Sequence, residues 1–505
     1  MSSRTVSFIK NSAGTAFMYF ITMLSSFIVP RIMIGVYGSE INGLVSSITQ
    51  FIAYFNLLGV GISSAVVWAL YKPLAEKNYN LISSIVLAAK NRYKKAGIIF
   101  LLCIFALAIL YPYFINVNSL SKTEVFLLVL VLGISGIVEI FTLANSQALL
   151  TADQKLYVIS LASVAAIVLN TIIISLLSFL EVNIVIVRLV ALLSIFTRTA
   201  IINFYIHKEY NFINSKVCCD NIQFDKLWPA TLQQLLNIIQ TGGPIVLATI
   251  FTDLKMVSVY TVFNLVINGM NSILSVFRSG VYAIFGNILA KGESDTLKKV
   301  YDEFELGYYI IVCVVYSVAA IMIMPFIRLY TKNITDINYD LPILGFLMVL
   351  NGLFINLKTP QNTMILAAGW YKETQRQNII QCLILIIVGS VGGYYFGLIG
   401  IVLSGILSNV YTDINFAILV PRYLLRISNK ITVLRMITVV LLYLSIVIMS
   451  QCDKLMINSF KYWILISTIV FIIVFIITLL VMLIFERKTV MGIYHRVISV
   501  TKKRK

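Results

Sequence analysis

The sequence predicts an all-α integral membrane protein of fourteen transmembrane helices, built as two parallel six-helix repeats followed by two further helices. Three observations carry that prediction: a composition too apolar for water, basic residues that sort onto one side of a bilayer, and an internal repeat with an offset of 215 residues.

Hydrophobic residues make up 59% of the chain and charged residues only 12%, with a mean hydropathy of +0.93, so a water-soluble core of this composition would have no polar surface to cover it. The net charge of +18 would point to nucleic acid in a soluble protein. In a membrane protein it points to cytoplasmic loops and anionic lipid, and no nucleic-acid partner is expected. Cys103, Cys218, Cys219, Cys313, Cys382 and Cys452 show no spacing of a disulfide framework, and Cys218–Cys219 have no neighbouring His cluster for zinc. The opening MSSRTVSFIKNSAGTAF lacks a short apolar core with a small-residue cleavage site, so the first span is read as retained.

At ~20 apolar residues per crossing, the spans fall near 11–36, 41–70, 97–118, 124–150, 156–180, 183–206, 228–251, 255–289, 306–330, 341–369, 374–396, 398–420, 433–452 and 460–485. Their connections alternate sharply in charge: 28 Lys and Arg lie on the side of the termini and 6 on the other, which places both termini in the cytoplasm. The external connections are short, no Asp-x-Asp pair or Ser/His/Asp constellation occurs, and His207 and His495 fall outside the spans. No enzyme, cofactor or metal is therefore expected. Two basic amphipathic stretches, 74–95 and the tail 487–505, have the pattern of segments lying along anionic headgroups, with a solvated basic tail as the other reading. The domain plan is an N-terminal lobe 1–206, a cytoplasmic linker 207–227, a second lobe 228–426, two added helices 427–486 and the tail.

Shifted by 215, the first half overlays the second: Ser46, Thr49, Ala53, Asn56 and Ser63 fall on Thr261, Asn264, Asn268, Asn271 and Arg278. Each repeat has an even number of spans, so both enter from one side, as in transporters that rock two bundles around a central site. Thr261, Asn264, Asn268, Asn271, Ser275 and Arg278 share one face of the eighth span. In lipid, that face either packs against other helices or lines an aqueous pathway. Gln233, Asn237 and Gln240 form a second polar face on the seventh span, open to the same two readings.

Charges inside the spans are mostly positive: Arg188, Arg198, Arg278, Arg328 and Lys358, against Glu139 and Asp413. Each costs at least ~2.5–3.5 kcal/mol on insertion scales and needs a partner, a cavity or a route to the interface. Arg188 and Arg328 lie near external helix ends and are read as snorkelling or cavity-facing. Arg198 and Asp413, also 215 apart, either pair as a gate or face their own loops. Glu139 is a structural partner for an arginine or a proton or sodium coupling site. Pro360, after Lys358, frees backbone polar groups where a cavity can form. A cationic excess suits an anionic cargo, best a phosphate or diphosphate held by arginine.

The stretches PRIMIGVYGSEINGLVSSITQF and LLGVGISSAVVWALYKPLAEKN resemble the Wzx-type polysaccharide flippases of the multidrug/oligosaccharidyl-lipid/polysaccharide (MOP) exporter superfamily. The resemblance implies a MATE/MurJ-like two-lobed bundle in the bacterial cytoplasmic membrane that moves undecaprenyl-diphosphate-linked oligosaccharide outward by alternating access around a cationic cavity. Cavity residues are then expected at Arg278 first, then Lys358 and Arg198, with Asn264, Asn268, Asn271, Asn56, Gln233, Asn237 and Gln240 facing sugar hydroxyls. Expected partners are the lipid-linked oligosaccharide, anionic lipids, a polymerase and a chain-length regulator; the working form is read as a monomer. Fourteen spans rather than twelve resemble the related lipid II flippase branch, whose last two helices form a lipid-tail groove. An organic-cation antiporter of the same superfamily and a membrane glycosyltransferase are the competing readings.

Overall fold

The structure, a computed structural model, describes residues 3–212, 228–450 and 457–502, and all regular structure among them is helical. Twelve helices are long and apolar enough to cross a membrane; two of these, Lys10–Phe55 and Tyr371–Leu425, have the length for two crossings each. Counted so, the described residues come to about fourteen crossings, in line with the sequence. Helix α1 (Ser3–Phe55) folds back at Gly38 and α14 (Tyr371–Leu419) at Gly397, with φ of 85° and 57°, where a side chain would be strained. The chain forms two compact units, residues 1–259 and 260–505.

In the first unit α1 is followed by α2 (Leu57–Glu76), α3 (Tyr79–Phe114), α4 (Lys122–Val138), α5 (Ala144–Ala152), α6 (Leu156–Phe179), α7 (Ile184–Ala191), α8 (Leu193–Glu209) and α9 (Trp228–Phe251). A π turn, Glu139–Leu143, joins α4 to α5 in one crossing, and Leu192 interrupts another between α7 and α8. One core gathers Leu44, Ile48, Phe100, Leu128 and Val187; another gathers Val66, Leu70, Tyr93, Leu149 and Ile202. Large apolar side chains such as Leu102, Phe105, Phe179 and Phe204 point outward, a surface that suits lipid and would aggregate in water.

One expectation changes here. The basic stretch 74–95 is not a separate interfacial helix: most of it is the first half of α3, and Ile82, Ile85, Val86 and Ala89 pack into the second core. Its 3.6-residue apolar period marks burial against α2 and α5, while the lysines stay outside. Helix α9 falls within the first compact unit, where Ser47 accepts hydrogen bonds from both Tyr111 (2.8 Å) and Thr249 (2.9 Å). Asn42 also donates to Ser258 at 2.8 Å, and Gly43 lets α1 approach the Leu254 carbonyl. Residues 213–227 of the expected linker, with Cys218 and Cys219, lie outside the described residues.

The second unit takes α10 (Leu254–Lys291) from Tyr260 onward, then α11 (Ser294–Tyr330), α12 (Pro342–Leu357), α13 (Thr359–Ala368), α14, α15 (Lys430–Ser450) and α16 (Phe460–Lys502). Helix α11 is its axis, buried along most of its length, with Tyr301, Tyr309, Cys313 and Tyr316 fully covered. It begins twelve residues before the predicted span at 306, so Asp302, Glu303 and Glu305 lie inside it. The two C-terminal helices pack directly on α11: Tyr443 of α15 is buried, Thr478 of α16 donates to the Cys313 sulfur, and the Trp463 indole donates to the Met322 carbonyl. The first turn of the tail is likewise docked, with Val490 buried and Thr489 donating to Asp302.

Candidate functional site

The two units carry matching interruptions. In the first, the π turn leaves Glu139 on the crossing formed by α4 and α5, and the Arg198 guanidinium of α8 lies 3.4 Å from its carboxylate. Asn56 sits at the α1–α2 junction without a capping bond, its side-chain oxygen buried and without a hydrogen bond, against Gly136 of α4. A surplus residue in a π turn re-aims the side chains that follow it, the usual reason such turns survive at functional positions.

In the second unit the crossing formed by α12 and α13 breaks at Lys358, with Pro360 in the first turn of α13, where its missing N–H costs nothing. The Lys358 ammonium donates to the Asn409 side-chain oxygen at 2.8 Å. Gln381 donates to the same oxygen at 2.9 Å, and Asn409 donates to Asn351 at 3.0 Å. One turn further along α14, Asp413 is 4% exposed, and neither of its oxygens has a hydrogen bond. Its charged neighbour is Lys358. The sequence does not foresee the Asn351–Asn409–Gln381 chain, although Asn409 and Asp413 stand four apart on one face of a predicted span.

The polar stripe of α10 divides in two. Asn271 is committed to packing: it accepts from Tyr316 at 2.8 Å and from Asn356 at 2.7 Å, and Asn356 in turn accepts from Tyr308. Asn264 is half-buried, while Asn268 and Arg278 are exposed. Arg278 makes no hydrogen bond or ion pair among the described residues; its electrostatic neighbour is the Tyr308 phenol. On α9, Gln233 is buried, Gln240 half-buried and Asn237 exposed.

The structure also contains a charged cluster that the sequence analysis does not foresee. Arg435, assigned from the sequence to a cytoplasmic connection, is 3% exposed in α15. Its guanidinium binds Glu305 at 2.8 Å, Asp302 at 2.7 Å, and Glu486 through both carboxylate oxygens. Glu305 also accepts from Tyr301, Gln361 and Thr432. The signal was weak because Arg435, Glu486 and the Asp302/Glu305 pair are remote from one another in sequence and lie near or beyond the ends of the predicted spans, where charge normally means water. Beside α15 lies an apolar cavity of about 480 Å³, lined by Phe354 and Leu357 of α12, Val410, Ile414 and Ala417 of α14, and Met436, Ile437 and Val440 of α15, with Asp413 its acidic residue.

At the end of the first unit, Lys155 bridges Asp153 (3.0 Å) and Glu209 (3.3 Å) against the rings of Tyr205 and Tyr210. Burial alone would lower the Lys155 pKa, but the hydrogen bond and charge of Asp153 prevail and raise it above the usual lysine range. Burial, then the 2.5 Å hydrogen bond to Asp153, pushes the Tyr210 phenol up. Every group here is satisfied internally, so the cluster is a clasp between α5 and α8.

No family model matches the sequence, and comparison with curated proteins finds no match. Solved structures do match. The lipid II flippase MurJ in an inward closed conformation superposes with a TM-score of 0.66 at 14% identity, covering 95% of this chain and 100% of that one. An inward-facing multidrug resistance MATE transporter of the MOP superfamily gives 0.62 at 15% identity, covering 79% of this chain and 93% of that one. This chain has the fold of the MOP-superfamily transporters. Another such structure is a MOP-superfamily transporter from Pyrococcus furiosus whose reversed binding-pocket polarity suggests a different function, at 0.52 and 16% identity over 81% of this chain and 94% of that one.

Proposed function

We propose that this chain is a flippase that moves undecaprenyl-diphosphate-linked oligosaccharide from the inner to the outer leaflet of a bacterial cytoplasmic membrane for surface polysaccharide biosynthesis. It works by alternating access of two lobes around a cationic cavity, with both termini in the cytoplasm. The observation that carries the reading is the apolar cavity lined by α12, α14 and α15, where the first of the two added helices faces the second lobe. A prenyl chain needs a long apolar groove open to lipid; a compact drug does not. The extent of the match supports it too, since the lipid II flippase is covered over its whole length. Arg278, exposed and without a carboxylate partner, suits a diphosphate, whose oxygens accept paired bonds from a guanidinium. Asn264 and Asn268, exposed or half-buried on the same face, suit sugar hydroxyls. No covalent bond changes, so the reading includes no catalytic residue.

A second reading, an organic-cation antiporter, draws on the MATE likeness and on Asp413, a buried acid of the kind that carries a coupling proton or sodium ion. The excess of arginine and lysine inside the spans disfavours a cationic cargo. The test is complementation of a strain lacking its own exporter of lipid-linked oligosaccharide. Surface glycan should return with the wild-type chain and not with R278A, although R278A still inserts in the membrane. Normal glycan with R278A would count against the assignment, and drug resistance without glycan would favour the antiporter.

A further inference from the structure

The first unit contains a second cavity, about 200 Å³ in volume, formed by α1, α4, α6, α7 and α8. Its polar lining comes from Thr49, Ser135, Asn170, Arg188 and Ser194, and none of its lining residues is acidic. Arg188 was expected to reach for the membrane surface or a cavity; the structure turns it into this one. Its Nε is buried without a hydrogen bond, and the guanidinium has no ion-pair partner among the described residues. Its electrostatic neighbour is the Tyr37 phenol, whose hydroxyl donates to the Val182 carbonyl and so carries no charge to offer.

A guanidinium inside a membrane lobe with unused donors and no counter-charge is costly, and side chains around it that can donate further hydrogen bonds lower the cost only when an anion completes the set. Arg188 brings a planar fork, Thr49 a hydroxyl and Asn170 an amide; the Ser135 and Ser194 hydroxyls donate to the Leu132 and Ala191 carbonyls and would turn from them toward a ligand. The volume suits a single phosphoryl group and is too small for a sugar-bearing head group. We propose that this cavity is a binding site for a phosphate-type oxyanion, supplied either as free phosphate or as the phosphoryl end of a lipid. The site lies within one unit and stands whether or not the cargo proposed above is right.

The test uses the purified full-length chain in detergent, with melting temperature as readout and two probes, inorganic phosphate and a short-chain prenyl monophosphate. In the wild type at least one probe should raise Tm in a saturable way, since a ligand that binds only the folded state stabilises it. R188Q should lose that response, while R278Q, altered at the proposed cargo site, should keep it. Should R188Q fail to fold, N170D replaces it: the near-isosteric carboxylate gives Arg188 an internal partner, so Tm should rise without ligand and no longer respond to either probe. A response to both probes identifies free phosphate as sufficient; a response to the prenyl phosphate alone identifies the lipid. No response in the wild type, or an equal response in R188Q or N170D, would overturn the proposal.

Discussion

Arg198 lies 3.4 Å from Glu139, and its counterpart 215 residues on is Asp413, whose charged neighbour is Lys358. The two units thus carry the same device with its polarity reversed. In each, the sixth crossing presents a charge to the interrupted fourth crossing; it is a base meeting an acid in the first unit and an acid meeting a base in the second. Glu139 opens the π turn that ends at Leu143, and Lys358 is the residue 215 beyond that leucine. Arg198 thus meets a carboxylate inside its own unit, while neither oxygen of Asp413 has a hydrogen bond.

Lys358 and Asp413 are charged neighbours without an ion pair within 4 Å. K358M leaves Asp413 without that neighbour and Asn409 without its Lys358 hydrogen bond, and is expected to destabilise the protein by about 1–3 kcal/mol. The double variant K358M/D413N should recover most of that loss. Melting of the purified proteins decides it; additive losses in the double variant would show that the two residues do not act as a pair.

The first pair is partly exposed, so its worth is smaller. E139Q is expected to cost about 1 kcal/mol or less, and the swap E139R/R198E should melt close to the wild type. A swap that melts below both single variants would contradict the pairing.

Arg435 ties α11, α15 and α16 together through three carboxylates. R435M should cost about 3–5 kcal/mol and expose the connection between α15 and α16 to protease first. Unchanged proteolysis with unchanged Tm would mean that the C-terminal helices are held by apolar contacts alone.

The hairpin in α14 depends on close backbone approach. A Cβ on Gly392 would stand 2.8 Å from the Gly400 carbonyl oxygen, and one on Gly400 would meet the Gly392 backbone directly. Backbone cannot swing aside as a side chain can, so G400A should destabilise the protein by about 1–3 kcal/mol. A G400A variant that melts like the wild type would argue against this packing.

Much of the architecture was legible because lipid is a simple solvent. Long apolar runs such as 97–118 and 460–485 admit one solution, a helix, and the sorting of basic residues fixes their alternation. Glycines at 38 and 397 marked the bends. What stayed hidden was the use of amphipathic ends. Residues 79–95 and 294–305 carry charge on one face and look interfacial in isolation, yet their apolar faces bury against helices far away in sequence. The polar stripe of α10 was visible, but its division was not: Asn271 is taken up by Tyr316 and Asn356 from two other helices, which no local pattern encodes. The Arg188 cavity needs five helices to define it, and period alone cannot bring them together.

The central claim is that this chain carries a diphosphate-linked lipid across a bilayer with the help of Arg278. It is tested most directly in liposomes holding the purified protein and a fluorescent undecaprenyl-diphosphate oligosaccharide in both leaflets, with a membrane-impermeant quencher added outside. With the wild-type chain, the signal should fall beyond the half expected for a static bilayer; with R278A it should stop at that half. Wild-type vesicles that quench no further than protein-free ones, with correctly inserted and folded protein, would contradict the account.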